Sequence, residues 1–593
     1  MLGPFPPSPP LALSVDARDA ERGVFHVVER VPVSGATLSL YYPKWIPGEH
    51  QPSGPLNSVV RFVPKAGGKT LPWRRDSIDP FRIDVTVPEG TKEATLQFDE
   101  LSDGGAHLAR VKWNRLVWYP RIGGSDEVTV RAELTVPARW SVQSALELDR
   151  REGDRFAYKP VSLTRLIDSP AQIGRYAAAY DVTGRSTARH TLDVMAESEE
   201  GTKADPELLA SVTHLHEEVE AATGSRHYGH YDWLLTLSDQ GGNEGLEHHE
   251  SSEDGNSGKP LSDAGQRLDL GDLLSHEYFH SFNGKFRRPA GLATPEFETP
   301  MRDDLLWVYE GLTQYYGYLL AARAGFWTPE QYRERLAADY DDMQGQVGRE
   351  WRPVGDTATA ASVLRNPGAS GARARRGQDY YVEMVFVWLE AEGILRSATG
   401  GAKGLDDFLK AFYGGPANGP ELRTYERADV VAALNAVAPY DWEGFFATRV
   451  DGVQPKLTAA GLEVAGWRMV YTETPNAYST ALGALWSYTP LPASVGLALN
   501  GATISDVTPG SAADRAGLAA GATILTVGDR PFSTDALVTA LGKVGSIPMV
   551  VQRKGVARTV TYESAAPLRY PHLEQIPGKP DRLADLIRPR RAP

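Results

Sequence analysis

Between Leu11 and Val182, short β-branched and aromatic runs alternate with turn-forming residues: Thr37–Tyr42, Phe81–Val87, Ala94–Phe98, Leu116–Tyr119, Val128–Val136 and Ser141–Ala145. Runs of this kind punctuated by Gly and Pro predict strands, so residues 11–185 are expected to form an N-terminal β-sheet domain. The pattern changes after Arg185. Thr191–Met195 and Trp233–Leu237 predict strands, whereas Leu208, Leu209, Val212, Leu215 and Val219 fall at helical spacing within Pro206–Thr223. A polar, Gly-rich stretch, Asp239–Asp263, precedes helices expected around Leu268–Phe282 and Leu305–Ala322. Residues 186–327 thus form an α+β domain and 328–455 a helical one, interrupted by the Gly-, Ala- and Arg-rich loop Asn366–Gln378. Residues 456–492 read as a linker with a β segment. Short strands with a helix between them return over 493–565, and the prolines of 566–593 predict an extended tail with one short helix near Leu583–Ile587. The fold class is multidomain α+β.

Composition narrows the function. The 593 residues are 41% hydrophobic and 23% charged, which excludes collagen, a coiled coil and general disorder. No apolar run approaches a membrane span. Acidic residues outnumber Lys plus Arg by 76 to 62, which argues against nucleic acid as a partner. Cysteine is absent, so disulfides, cysteine-held zinc and thiol catalysis fall away together, and any metal must be held by His, Asp or Glu. The opening Met1–Pro10 has neither a basic nor an apolar leader segment and is rich in proline, like the start of a mature chain. The expectation is a periplasmic or otherwise exported mature form, with the cytoplasm as the alternative.

His276-Glu277-Tyr278-Phe279-His280 carries the chemistry. On a helix, residues four apart share a face, so both imidazoles can reach one ion, and Glu277 on the neighbouring edge can reach a water there. Zinc makes such a water acidic, and a carboxylate then takes its proton. Chance supplies only about 0.02 such motifs in a chain of this composition. The alternative is two ordinary histidines on a core helix. A catalytic zinc needs a third protein ligand, and no His lies between His280 and His572. Glu310, within Leu306-Trp307-Val308-Tyr309-Glu310-Gly311-Leu312, is the carboxylate flanked by apolar and aromatic residues, so it is expected to point inward, where a metal would offset the cost of its burial. Glu296, Glu298, Asp303 and Asp304 compete from a loop-like setting. Asp272 and Gln314 are candidates to orient the ligating imidazoles.

HEYFH followed by Trp-Val-Tyr-Glu-Gly-Leu-Thr-Gln-Tyr-Tyr, with a PDZ-like C-terminal module, closely resembles the bacterial glycyl aminopeptidase family of zinc metallopeptidases, which are gluzincins. The resemblance implies that 186–327 is a thermolysin-like catalytic domain. It also implies a Zn2+ cofactor on His276, His280 and Glu310, with Glu277 as general base. The expected reaction is removal of small N-terminal residues, Gly and Ala, from peptides with a free N-terminus. By the same resemblance, Gly245-Leu246-Glu247-His248 lies along the substrate and offers Glu247 to the α-amine, with Glu244 as the alternative; a carboxylate there would distinguish a charged terminus from an internal amide. Related enzymes carry Tyr-x-Lys-Gly near Asp379–Met384, which selects Tyr381 as hydrogen-bond donor to the developing oxyanion. Glu383 and Met384 replace the Lys and Gly, which leaves Tyr380 in contention.

Pro509-Gly510-Ser511-Ala512-Ala513 and Gly521-Ala522-Thr523-Ile524 make 493–565 resemble a PDZ domain, which could receive a peptide C-terminus. Ala498 and Ala522 stand where Gly and Asp are usual, and an internal packing role is the competing reading. Two other functions stay in play: a zinc endopeptidase with PDZ-assisted substrate delivery, and a non-catalytic peptide-binding scaffold. Arg365, Arg373, Arg375 and Arg376 could wall a peptide carboxylate, although a solvated loop is the simpler reading.

Overall fold

The computed structural model describes residues 9–592 apart from 103, 122, 242 and 366–370. The Pro-rich opening up to residue 8 and the start of the arginine-rich loop, residues 366–370, lie outside the described residues. Among the described residues no helix is long and apolar enough to cross a membrane.

The N-terminal region is built from strands whose alternate residues face one core. Leu11, Leu13 and Val15 point inward along the first strand, and Phe25, Val27 and Val31 along the next. These strands lie in a nine-stranded sheet, beside two three-stranded sheets, over a core that includes Trp113, Trp118 and Trp140.

A second sheet begins at Tyr176, before Arg185. We number its strands β1 (Tyr176–Asp181), β2 (Arg189–Ala196), β3 (His230–Leu237), β4 (Glu244–Glu247) and β5 (Ser251–Asn256). Their order is β1-β2-β3-β5-β4; β2, β3 and β5 run parallel, and β4 is an antiparallel edge strand. Helix α1 (Pro206–Thr223) stacks its His216 on His190 of β2, α2 (Arg267–His280) packs against β4 and β5, α3 (Gly311–Ala324) packs on α1 and α2, and α4 (Val382–Ala398) packs on α3.

The expected break between 186–327 and 328–455 is not a break in the core. Trp307 stacks on Trp388 at 6.0 Å and meets Phe446 at 4.6 Å, and one cluster of buried side chains runs from Val182 to Ile587. The tail is not extended either. Tyr570–Gln575 pairs antiparallel with Trp467–Thr472, and Leu583, Leu586 and Ile587 bury in the central core, with Leu586 O accepting from Arg323 Nε at 2.7 Å. The short helix expected near Leu583–Ile587 is present at Arg582–Leu586, and the i, i+3, i+4 spacing of these three residues turns one apolar face to that core. Residues 495–570 enclose a core of their own beneath a six-stranded sheet and the helix Thr534–Leu541. That sheet's strand Leu497–Asn500 has its outer side bridged at Asn500 by Tyr488 of the same chain.

Candidate active site

Both histidines of the HExxH motif lie in the last turn of α2, which is buried because Leu274, Tyr278 and Phe279 fill the core around it. Glu310 sits where the short helix Leu306–Tyr309 meets α3, and it is 2% exposed. Three donor atoms converge. His276 Nε2 and His280 Nε2 are 3.0 Å apart, and Glu310 Oε2 lies 3.3 Å from the first and 3.2 Å from the second.

Two imidazole nitrogens and a carboxylate oxygen at these separations suit a single ion. Ligands held tetrahedrally by zinc at about 2.0–2.1 Å lie about 3.3 Å from one another. Electrostatics tie the three groups together: burial would lower the His280 imidazole, but Glu310 and Glu247 raise it above its usual pKa. Burial pushes the His276 imidazole below its usual pKa, so it offers a lone pair. Burial would raise Glu310, but His280 and His276 outweigh it and hold the carboxyl well below the usual range. His280 Nδ1 donates to Asn283 O at 2.9 Å, which aims its Nε2 at the carboxylate. Asp272 and Gln314 do not orient these rings. They bond each other at 3.0 Å, and Asp272 pairs with Arg335. Among the competing carboxylates, Glu296 is used within the Glu296–Thr299 turn and by Arg121.

Edge strand β4 passes over Glu277. A Cβ on Gly245 would sit 2.0 Å from Glu277 Oε1, so a larger residue there would push the Glu277 carboxylate aside. Alternation puts Glu247 on the same side of β4, and donor atoms of Glu247, Glu277 and His280 all lie within 4.8 Å of one another. Glu244 is on the opposite side, half exposed, and is taken up by Arg110 and Lys112. The structure therefore brings Glu247 to the cluster and leaves Glu244 out. Burial pushes the Glu277 carboxyl well above its usual pKa, with Glu247 adding to the effect. Burial also acts on Glu247, yet Lys285 and His280 hold it below the usual value. Tyr309 donates its hydroxyl to Glu247 Oε1.

The Tyr381 ring lies 5.9 Å from His276 at an interplanar angle of 28° and keeps some exposure. Tyr380 is fully buried, and its hydroxyl has no hydrogen-bond partner among the described residues. Burial, with Glu310 nearby, pushes the Tyr381 hydroxyl far above its usual pKa, so it stays a donor. The unusual Glu383 has a structural use: Arg376 and Arg349 pair with it in the core, and Arg376 Nε donates to Asp379 Oδ2 at 2.7 Å. Arg373 bonds Thr508 of the C-terminal module and Asp342. Arg373 and Arg376 are thus spent on the fold, whereas Arg365 lies close enough to Tyr381, Tyr380 and Glu310 for their charges to raise its pKa against burial.

Sequence reasoning missed Tyr309, Lys285 and His50. His50 Nε2 donates to Glu310 Oε1 at 2.5 Å across a separation of 260 residues. Tyr309 could have been suspected from its place beside Glu310; a single His in a Pro- and Gly-rich loop carries no such signal.

A sheet with an HExxH helix beneath its edge strand and an inward glutamate one helix later is a hydrolytic architecture. In overall fold the chain is similar to an aminopeptidase N family protein from Idiomarina loihiensis, with a TM-score of 0.79 at 18% identity over 98% of this chain and 100% of that one. An M1 zinc metallopeptidase from Deinococcus radiodurans, solved with a Tyr-Ser-Ala substrate, is more distant: TM-score 0.44 and 14% identity, over 76% of this chain and 95% of that one. That second likeness is too slight to bear on the fold. No curated protein matches the chain. Residues 269–387 match the M61 glycyl aminopeptidase family, and residues 12–175 match the peptidase M61 N-terminal domain. The two matched stretches are peptidase M61 domains, which support a peptidase.

Proposed function

We propose that the chain is a zinc-dependent aminopeptidase that releases small N-terminal residues, Gly and Ala, from peptides. The observation that carries this reading is the convergence of His276, His280 and Glu310 beside Glu247 and Glu277. His276, His280 and Glu310 would hold the ion, which when bound would acidify water and polarise the scissile carbonyl. Glu277 takes the proton of the attacking water and hands it to the leaving amine. Burial and Glu247 hold its pKa above the ordinary carboxylate value, which favours handing the proton on. Glu247, kept ionised, accepts from the substrate's α-ammonium and so sets cleavage after the first residue. Tyr309 holds the Glu247 carboxylate in place. Tyr381 donates to the oxygen of the scissile carbonyl as negative charge builds on it.

The PDZ-like module at 493–565 fits an internal role better than peptide capture, since Tyr488 already bridges the outer side of Leu497–Asn500. The test is hydrolysis of a glycyl chromogenic amide beside its N-acetylated form, with and without chelator. Chelator-sensitive cleavage of the free-amine substrate alone is expected. Cleavage of the acetylated form would make the enzyme an endopeptidase, and no cleavage of either with zinc bound would remove the reading.

A further inference from the structure

The loop Trp45–His50 belongs to the N-terminal region in chain order, yet it ends inside the central one. Trp45 N donates to Phe297 O at 2.8 Å, and its side chain lies in the central core. Arg365 Nη1 donates to Glu49 O at 3.2 Å and holds the other end. Between these anchors Gly48 has φ 92°, and a Cβ there would lie 2.5 Å from Glu247 Oε2 and 2.6 Å from Leu246 Cδ1. The loop is therefore pressed against the strand that carries Glu247.

His50 itself has φ 52°, a left-handed backbone that a side-chain-bearing residue adopts rarely and that tends to be kept where it serves a site. Its ring is 1% exposed and stands edge-on to Tyr309 at 5.5 Å. Glu310 divides its two oxygens: Oε2 faces His276 and His280, while Oε1 accepts from His50 Nε2 at 2.5 Å. A carboxylate can swing about its last torsion unless its second oxygen is tied, and outer partners of this kind orient metal ligands. Asp303 is the charged group behind the ring, 3.8 Å from Nδ1 and beyond hydrogen-bond reach, so Tyr309 and the pinned loop set the ring's orientation.

We infer that His50 is a positioning residue for Glu310, holding Oε1 so that Oε2 stays aimed between His276 and His280, and that the N-terminal region thereby supplies part of the metal centre. This rests on the reading of His276, His280 and Glu310 as ligands. The test uses the full chain, with zinc affinity measured by competition against a chromophoric chelator and melting of the metal-free protein recorded beside it. His50→Ala is expected to weaken zinc binding 10–100-fold. His50→Gln, which can direct an amide N–H towards Oε1, is expected to recover most of the loss. A merely structural role would lower the melting temperature and leave zinc affinity unchanged, and that result overturns the inference. If His50→Ala does not fold, His50→Phe keeps the ring and lacks the donor: wild-type affinity overturns the inference, and a 10–100-fold loss supports it. A wild-type protein that takes up no zinc removes the ligand reading and the inference together; zinc-binding wild type with indifferent His50 variants removes the inference alone.

Discussion

Among the described residues two clusters bring two histidines and a glutamate together, and the geometry suits a metal in one of them. In the first, the His276 and His280 rings stand at 79° and aim their Nε2 atoms at one oxygen of Glu310. In the second, His190 and His216 lie flat on each other, with centroids 3.8 Å apart and 8° between planes, and Glu220 Oε1 is 3.9 Å from each. An imidazole lone pair lies in the ring plane, so stacked rings cannot both direct theirs at one ion. Their hydrogen bonds are also spent on the fold: His190 Nδ1 on Ala188 O, His190 Nε2 on the Tyr228 hydroxyl, and His216 Nε2 on Val182 O. Residue type is alike in the two clusters, but Glu220 keeps some exposure where Glu310 has almost none. Ring direction and the engagement of both His190 nitrogens separate them further.

Glutamate removal breaks this comparison most directly. Glu310→Ala is expected to abolish stoichiometric zinc and with it all chelator-sensitive peptidase activity. Glu220→Ala should leave one zinc per chain and near-wild-type turnover. Elemental analysis of both variants decides. Zinc lost from the Glu220 variant, or retained at full affinity by the Glu310 variant, would reverse the assignment of the two clusters.

The contrast also explains what the sequence could convey. The HExxH pair is legible because its geometry is local: four residues on one helix fix both rings on one face, and the apolar residues around Glu310 announce that it turns inward. Glu247 became a candidate only through family resemblance. What singles it out from Glu244 is the alternation of β4 above Gly245, which depends on where the edge strand is laid. His50 was not legible, because no periodicity links a loop in one region to a carboxylate 260 residues later. The error over Asp272 and Gln314 has the same origin: both lie on the correct helices, but each spends its bond on the other. The tail's short helix is legible near Leu583–Ile587, whereas the pairing of Tyr570–Gln575 is not, because it depends on a strand distant in the chain, Trp467–Thr472.

The two adjacent tyrosines offer a finer version of the same test. Tyr381 lies beside His276 with its hydroxyl kept protonated, whereas the Tyr380 hydroxyl is buried without a partner. Tyr381→Phe should lower kcat about 10²–10³-fold, the loss typical of one oxyanion donor, with zinc affinity and KM little changed. Tyr380→Phe removes an unpaired polar group and should leave kcat close to wild type, with stability equal or slightly higher. Equal losses in the two variants would mean that the hydroxyls act through packing, and Tyr381 would lose its role at the transition state.

The smallest effect lies in acid stability, and it separates the clusters by protonation. Burial depresses His190 to about 2 and His216 to about 4, from an unfolded value of 6.5, and the stacking of His216 on His190 adds to the first shift. Arg189 and Arg226 press on His190 in the same direction, whereas Glu217 opposes the shift at His216. Below about pH 6.5 the unfolded chain protonates both rings while the folded chain keeps them neutral, so the unfolded state binds more protons and stability is lost as the pH is lowered. Each ring contributes a slope of at most about 1.4 kcal/mol per pH unit. For His216 the loss runs from pH 6.5 to about 4, and for His190 it continues towards pH 2. The variant carrying His190→Gln and His216→Gln should therefore show a flatter dependence of its urea midpoint on pH between 6 and 4.5 than wild type, even though its midpoint at pH 7 is lower from lost packing. Titration of His276, His280 and Glu310 is common to both proteins and cancels in the difference. Parallel curves would mean that the stacked rings already carry charge in the folded state, and the physical distinction drawn between the two clusters would fail at its simplest point.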